Sequence, residues 1–182
     1  MSRSRTITMV LAVAFLAPLA LAWGLYHQTT WHPLSGLQHG ELLMPLRPLV
    51  PPPMRSADGR GSGVELFHGR WTLLYRSHGR CDGECRALMD TLRRVRLAQG
   101  RAMERVQRVL VEPDEGSADF DNIIDPIDPD LRVMLVNRWP LPDGSVYVVD
   151  PQGNLVLRYQ PGFDPRGLLK DLHRLLQLSG EG

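Results

Sequence analysis

The sequence predicts an α/β domain, a central mixed sheet flanked by helices, behind an N-terminal transmembrane helix. Three observations carry that prediction. Strand-like runs at 71–76 and 106–111 bracket a helical periodicity over 82–99, which makes a βαβ unit whose two strands should be parallel. A hairpin pattern and an amphipathic helix follow near the C-terminus. Near the N-terminus, residues 7–26 form a run of twenty without a charged side chain, the length needed to cross a bilayer as a helix.

The chain begins with a short segment, 1–6, carrying Arg3 and Arg5, which the positive-inside rule keeps cytoplasmic. The span at 7–26 has a rival reading as a signal peptide, because Ala20-Leu21-Ala22 offers a small-residue cleavage pattern. The apolar run continues past that point through Trp23, Leu25 and Tyr26, and aromatics at its end favour an anchor. On either reading the remainder is exported.

Residues 27–63 are rich in proline and end in glycine and serine, so they read as an extended spacer with no core of its own. Its middle, His39 to Pro45, has enough apolar side chains to lie against the domain as an edge strand. The domain proper is expected over 64–182. With 182 residues in all there is room for one such domain. The net charge of +1, without a concentrated basic face, argues against a nucleic-acid partner.

Val64–Phe67 and Trp71–Arg76 read as two strands of a hairpin turning at His68-Gly69-Arg70. From Asp82 to Gln99, Leu88, Met89, Leu92, Val95 and Ala98 recur at helical spacing, and Gly100 stands where a helix ends. Arg86, Arg93, Arg94 and Arg96 fall on the opposite, solvated face. Val106–Val111 is a buried strand, broken at Glu112-Pro113. Asp119 to Asp130 reads as an acidic loop, and Leu131–Val136 as strand or short helix. Ser145–Val149 and Leu155–Tyr159 flank Asp150-Pro151-Gln152-Gly153-Asn154, a turn sequence with Pro and Gly at the corners they favour. Asp164 caps a last helix with Pro165 at its first position and a leucine stripe through Leu176. This order of elements, with cysteines at the start of the first helix, is that of a thioredoxin-like domain.

Cys81 and Cys85 are the two cysteines of the chain, too few for a four-cysteine zinc site or a stapled scaffold. They are a pair or two separate thiols. Within a regular helix, side chains four apart have Cβ atoms about 5–6 Å apart, and a disulfide wants about 3.8 Å. Placing Cys81 just ahead of the first turn, as Gly79 and Gly83 permit, brings a bridge within reach. The same spacing lets two thiolates hold one soft ion, and thiolates favour Cu(I). Redox or metal chemistry is the sharper reading, and a structural bridge is the plain one.

These residues resemble the Sco/SenC group of membrane-anchored, thioredoxin-like accessory proteins of cytochrome c oxidase assembly. The resemblance runs through the anchor, the segment Gly40 to Pro45, Trp71 to Leu97 and, more loosely, Asp143 to Leu176. It implies that Cys81 and Cys85 bind copper, or exchange electrons with the thiols of the oxidase copper site. The expected activity is thiol-disulfide oxidoreduction, neither hydrolysis nor group transfer. It also implies a respiratory oxidase subunit or another thiol or copper protein as partner, and a place in the bacterial inner membrane with the C-terminal domain in the periplasm. A general periplasmic oxidoreductase, or a partner-binding domain with a structural bridge, stands beside this reading.

Two features depart from the family pattern. Asp82 and Arg86 follow the cysteines where the family has proline, and the loop Trp139 to Ser145 lacks the distal histidine that copper-binding members use. His78 is the nearest substitute ligand. Pro142, ahead of the late strand, is the candidate for the cis-proline that such folds set against the thiols.

Overall fold

The computed structural model describes residues 7, 11, 13–18, 38–56, 61–114, 131–136 and 138–180. The chain divides into Met1–Leu37 and a compact unit, Gln38–Gly182. Most of the expected membrane span, with its signal-peptide alternative, lies outside the described residues, as does the acidic loop at 119–130. Among the described residues no helix is long and apolar enough to cross a membrane.

The compact unit is built on a mixed sheet. Its strands are β1 (Glu41–Pro48), β2 (Met54–Ser56), β3 (Gly61–Ser62), β4 (Trp71–Arg76), β5 (Val106–Pro113), β6 (Leu131–Val136), β7 (Val146–Val149) and β8 (Asn154–Tyr159), with helices α1 (Gly83–Leu97) and α2 (Pro165–Leu178). Across the sheet the order is β1-β8-β7-β4-β5-β6-β2-β3. β4, β5 and β6 are parallel, and β7, β8 and β1 continue antiparallel from β4. The expected βαβ unit is therefore present, with Trp71 opposite Val106 and Arg76 opposite Val111.

β4 is buried along its length because both faces are covered, which is why it reads as an uninterrupted apolar run. On one face Trp71, Leu73 and Tyr75 pack with Met89, Leu92 and Val95 of α1 and Leu168, Leu172 and Leu176 of α2. On the other, Leu74 packs with Leu49, Met54, Phe67, Trp139 and Tyr147. Both helices thus share one apolar cluster, and loop and strand side chains close the opposite face.

Three expectations change and one choice between alternatives is decided. Val64–Phe67 is a 3-10 turn, not a strand, since β5 and β7 already occupy both edges of β4 and the turn drives Phe67 into the core. Leu131–Val136 is a strand parallel to β5. The proline-rich 27–63 stretch supplies, besides the expected edge strand β1, which pairs with β8, the short strands β2 and β3, which extend the sheet beyond β6. Arg96 is not on the solvated face of α1: it is buried, and its Nε donates to the Val106 carbonyl across 2.7 Å.

The hairpin and the last helix form as expected. Asp150 Oδ1 accepts from the N–H groups of Gln152 and Asn154, and Gly153 takes a φ of 85°, a conformation that favours glycine. Asp164 caps α2 by accepting from Arg166 N at 2.9 Å.

Candidate functional site

β4 delivers the chain to the site. Beyond Arg76, Ser77 N and Oγ both donate to the Val111 carbonyl at the end of β5, and Ser77 Oγ also approaches the Gly79 carbonyl. This fixes the turn that carries His78, Gly79 and Arg80 to Cys81. Asp82 then caps α1, its Oδ1 accepting from Cys85 N at 2.9 Å. Cys81 stands one residue ahead of the cap and Cys85 in the first turn.

The two cysteines form a disulfide with a Cα–Cα distance of 5.1 Å, inside the ordinary range. They are unequal: Cys85 is buried, and Cys81 is half-buried toward solvent. Tyr75 lies at the same end of the sheet. Burial pushes its phenol up, and the negative charges of Asp82 and Glu84 push it further.

Glu112 is the residue that sequence reasoning missed. It is only 3% exposed, and its Oε1 accepts the Cys81 N–H across 2.9 Å. One Glu112 carboxylate oxygen and the two sulfurs all lie within 4.8 Å of one another. In the sequence Glu112 passes for the end of a strand. The available signal was a carboxylate following the apolar run Val109-Leu110-Val111 in a strand whose neighbour leads to the cysteines.

His78 takes a different place. Its ring covers Gly144, where a Cβ would stand only 2.3 Å from His78 Nε2, and Gly144 has a φ of 70°. His78 does not belong to the group formed by Cys81, Cys85 and Glu112. The loop behind it is held by Arg76, whose guanidinium donates to the carbonyls of Trp139 and Leu141 and pairs with Asp143 at 2.7 Å. Among the described residues the cis peptide bond is Met44–Pro45, so the Leu141–Pro142 bond is trans. This corrects the expectation for Pro142, whose loop is positioned by the Arg76 contacts.

The donor set allows two kinds of chemistry. As the disulfide, the pair accepts two electrons. As the dithiol, it presents two sulfurs suited to copper, with a carboxylate beside them. Separately, a cavity of about 560 Å3 opens between β1 and the loop at 139–142, lined by Leu43, Met44, Trp139, Leu141, Tyr147 and Leu155 among others, and neither cysteine lines it.

Residues 71–179 match the family described as "Transmembrane-like, thioredoxin-like, C-terminal domain". Copper-bound ScoI from Arabidopsis thaliana is similar in structure with a TM-score of 0.57 at 15% identity, over 71% of this chain and 99% of that one. Apo Sco1 from Thermus thermophilus is similar at 0.58 and 19% identity, over 78% and 99%. A DsbF homologue from Corynebacterium diphtheriae is similar at 0.55 and 15% identity, over 80% and 98%. At these identities the likeness speaks for the fold, which is the thioredoxin-like fold of the Sco/SenC structures. A search of curated protein sequences finds no match.

Proposed function

The chain belongs to the family described as transmembrane-like, thioredoxin-like, C-terminal domain, and from that premise we propose that it is an accessory protein of cytochrome c oxidase assembly. It acts through Cys81 and Cys85, in copper delivery or in thiol reduction at the oxidase copper site. The domain works on the outer, periplasmic side of the inner membrane, anchored through residues 7–26. Its partner is an oxidase subunit or another thiol or copper protein.

The observation that carries the reading is the asymmetry of the pair: a half-buried Cys81 ahead of the helix cap, bridged to a buried Cys85 within it. In the reduced protein the Cys81 thiolate attacks a client disulfide and releases one client thiol. The Cys85 thiolate then attacks the Cys81 sulfur, releasing the second client thiol and leaving the Cys81–Cys85 bridge. Two electrons pass to the client, whose sulfurs take up the two protons. A fresh dithiol donor restores the pair.

For copper, the reduced sulfurs are the donors and the ion is cargo. Thiolates suit cuprous copper. No histidine joins them from the Trp139 to Ser145 loop, and His78 lies against Gly144. The pair therefore serves thiol exchange with its own residues alone, whereas copper holding rests on the sulfurs and what surrounds them.

A redox titration of the pair, with and without Cu(I), tests the reading. A midpoint above about −300 mV that shifts upward with Cu(I) supports it. A midpoint below that value, unmoved by copper, makes the bridge structural.

A general oxidoreductase is the second reading, favoured by the fold shared with the DsbF homologue. Turnover of unrelated disulfide substrates distinguishes it.

A further inference from the structure

We propose that reduction of the Cys81–Cys85 bridge creates a three-donor site, two thiolates and the Glu112 carboxylate, that takes a divalent first-row transition-metal ion. The proposal rests on the reading of the pair as reducible and names the ion class the site selects.

The placement is specific. Glu112 is almost wholly buried at the end of β5, yet its carboxylate reaches the mouth of α1 and accepts the Cys81 N–H. A carboxylate oxygen and both sulfurs converge within 4.8 Å, and among the described residues this is the cluster of metal-ligating side chains that does so. The three donors come from two elements already locked together, because Ser77 ties the loop after β4 to the Val111 carbonyl, one residue before Glu112.

Charge and softness select the ion. Two thiolates and a carboxylate bring three negative charges into a largely buried place, and a dication compensates them better than a monocation. Cuprous ion is satisfied by the two soft sulfurs and gains little from a hard oxygen, whereas zinc, cobalt(II) and copper(II) accept mixed sulfur and oxygen ligands. Cys81 is half-exposed, so a fourth position can open to solvent or to a donor from a partner protein.

The chemistry balances with an external dithiol as reductant. That dithiol becomes a disulfide as the Cys81–Cys85 bridge becomes two thiols. A divalent ion then replaces the two thiol protons, so binding releases about two protons. Oxidation of the pair removes both sulfur donors and expels the ion.

The test uses the full-length chain in detergent, reduced with a dithiol and freed of it under anaerobic conditions, titrated with cobalt(II) and separately with Cu(I). Wild type is expected to show sulfur-to-cobalt charge-transfer absorption, release protons and compete with zinc. Glu112→Gln keeps an oxygen that accepts the Cys81 N–H but is a much poorer ligand. It is expected to weaken cobalt by about tenfold or more while Cu(I) changes little. Glu112→Asp is expected to retain cobalt binding better than Glu112→Gln. Equal cobalt affinity in wild type and Glu112→Gln overturns the proposal, as does an equal loss for both ions. Cobalt that fails to bind two titratable thiols also overturns it, but leaves the thiol and cuprous reading standing. A bridge that no dithiol reduces removes both.

Discussion

The Cys81 amide and the Glu112 carboxylate, 31 positions apart in sequence, meet across 2.9 Å. The contact joins the end of β5 to the loop that carries Cys81, and it is present while the cysteines are bridged. Glu112→Ala should therefore destabilise the oxidised protein by about 1–3 kcal/mol, the cost of leaving a part-buried donor without its partner. Glu112→Gln should recover most of that loss. Urea denaturation of the two oxidised variants checks it, and an alanine variant as stable as wild type refutes it.

Unequal burial of the cysteines predicts unequal roles. Cys85→Ser should accumulate a mixed disulfide between Cys81 and a disulfide-bearing client peptide, because the resolving thiol is gone. Cys81→Ser should accumulate little, since the remaining thiol is buried. Non-reducing electrophoresis or intact-mass measurement reads the adduct, and the reverse pattern exchanges the assignments.

Asp171 binds the start of the compact unit to α2. Its carboxylate accepts from Tyr159 Oη, His39 N and Gly40 N at 2.6, 2.6 and 3.1 Å, and lies 3.1 Å from His39 Nδ1. Burial by itself pushes the Asp171 carboxyl up, but the hydrogen bonds from Tyr159, His39 and Gly40 together hold it below the usual range. The stabilisation is present above the unfolded value, near 4, and is lost as pH falls through the lower folded value. Burial and the Asp171 hydrogen bond raise the Tyr159 phenol well above its usual range. Its contribution is present below about pH 10 and is lost as pH rises further. Denaturation midpoints should be flat between about pH 5 and 9 and fall on both sides. Asp171→Asn should cost about 2 kcal/mol and shrink the acid limb. An unchanged acid limb counts against this account.

Gly144 and His78 predict a non-additive pair. Gly144→Ala meets the His78 ring and a φ of 70° together, and should cost about 2 kcal/mol. Adding His78→Ala removes the clash but leaves the backbone strain, so the double variant should regain part of the loss. A double-mutant cycle measures the difference, and strict additivity removes the ring contact from the explanation.

Arg76→Lys should loosen the Trp139 to Asp143 loop, because an ammonium cannot reproduce a fork reaching two carbonyls and the Asp143 carboxylate. Faster amide exchange at residues 141–145 with modest loss of global stability is the expected result. Exchange equal to wild type shows that the loop is held by other contacts.

What local chemistry dictates was legible in the sequence: the Asp164-Pro165 helix start, the Asp150 to Asn154 turn, the α1 periodicity and the cysteines at its mouth. What depends on distant pairing was not. Val64–Phe67 is a short apolar run that suits a strand or a turn, and only the occupied edges of β4 decide between them. Arg96 belongs to a charged set in sequence, but the start of β5 passes beneath it and offers the Val106 carbonyl. β1 was legible as an edge strand from the apolar side chains of His39 to Pro45, since proline is tolerated at a sheet edge, whereas β2 and β3 are too short to leave a pattern. Glu112 joins the site only through the register that sets Arg76 opposite Val111, a relation no linear pattern records.

The outermost strands, β1 and β3, both come from residues 41–62 and close opposite margins of the sheet. In a chain made N-terminus first, this segment waits longest for its partners. Glu41 meets Arg158, 117 positions later, and β2 needs β6. Folding therefore ends where synthesis nearly began: β2 stays open to pairing with other chains until β6 arrives, and β1 until β8 arrives. A nascent domain released early would be held from aggregation chiefly by the prolines of that segment.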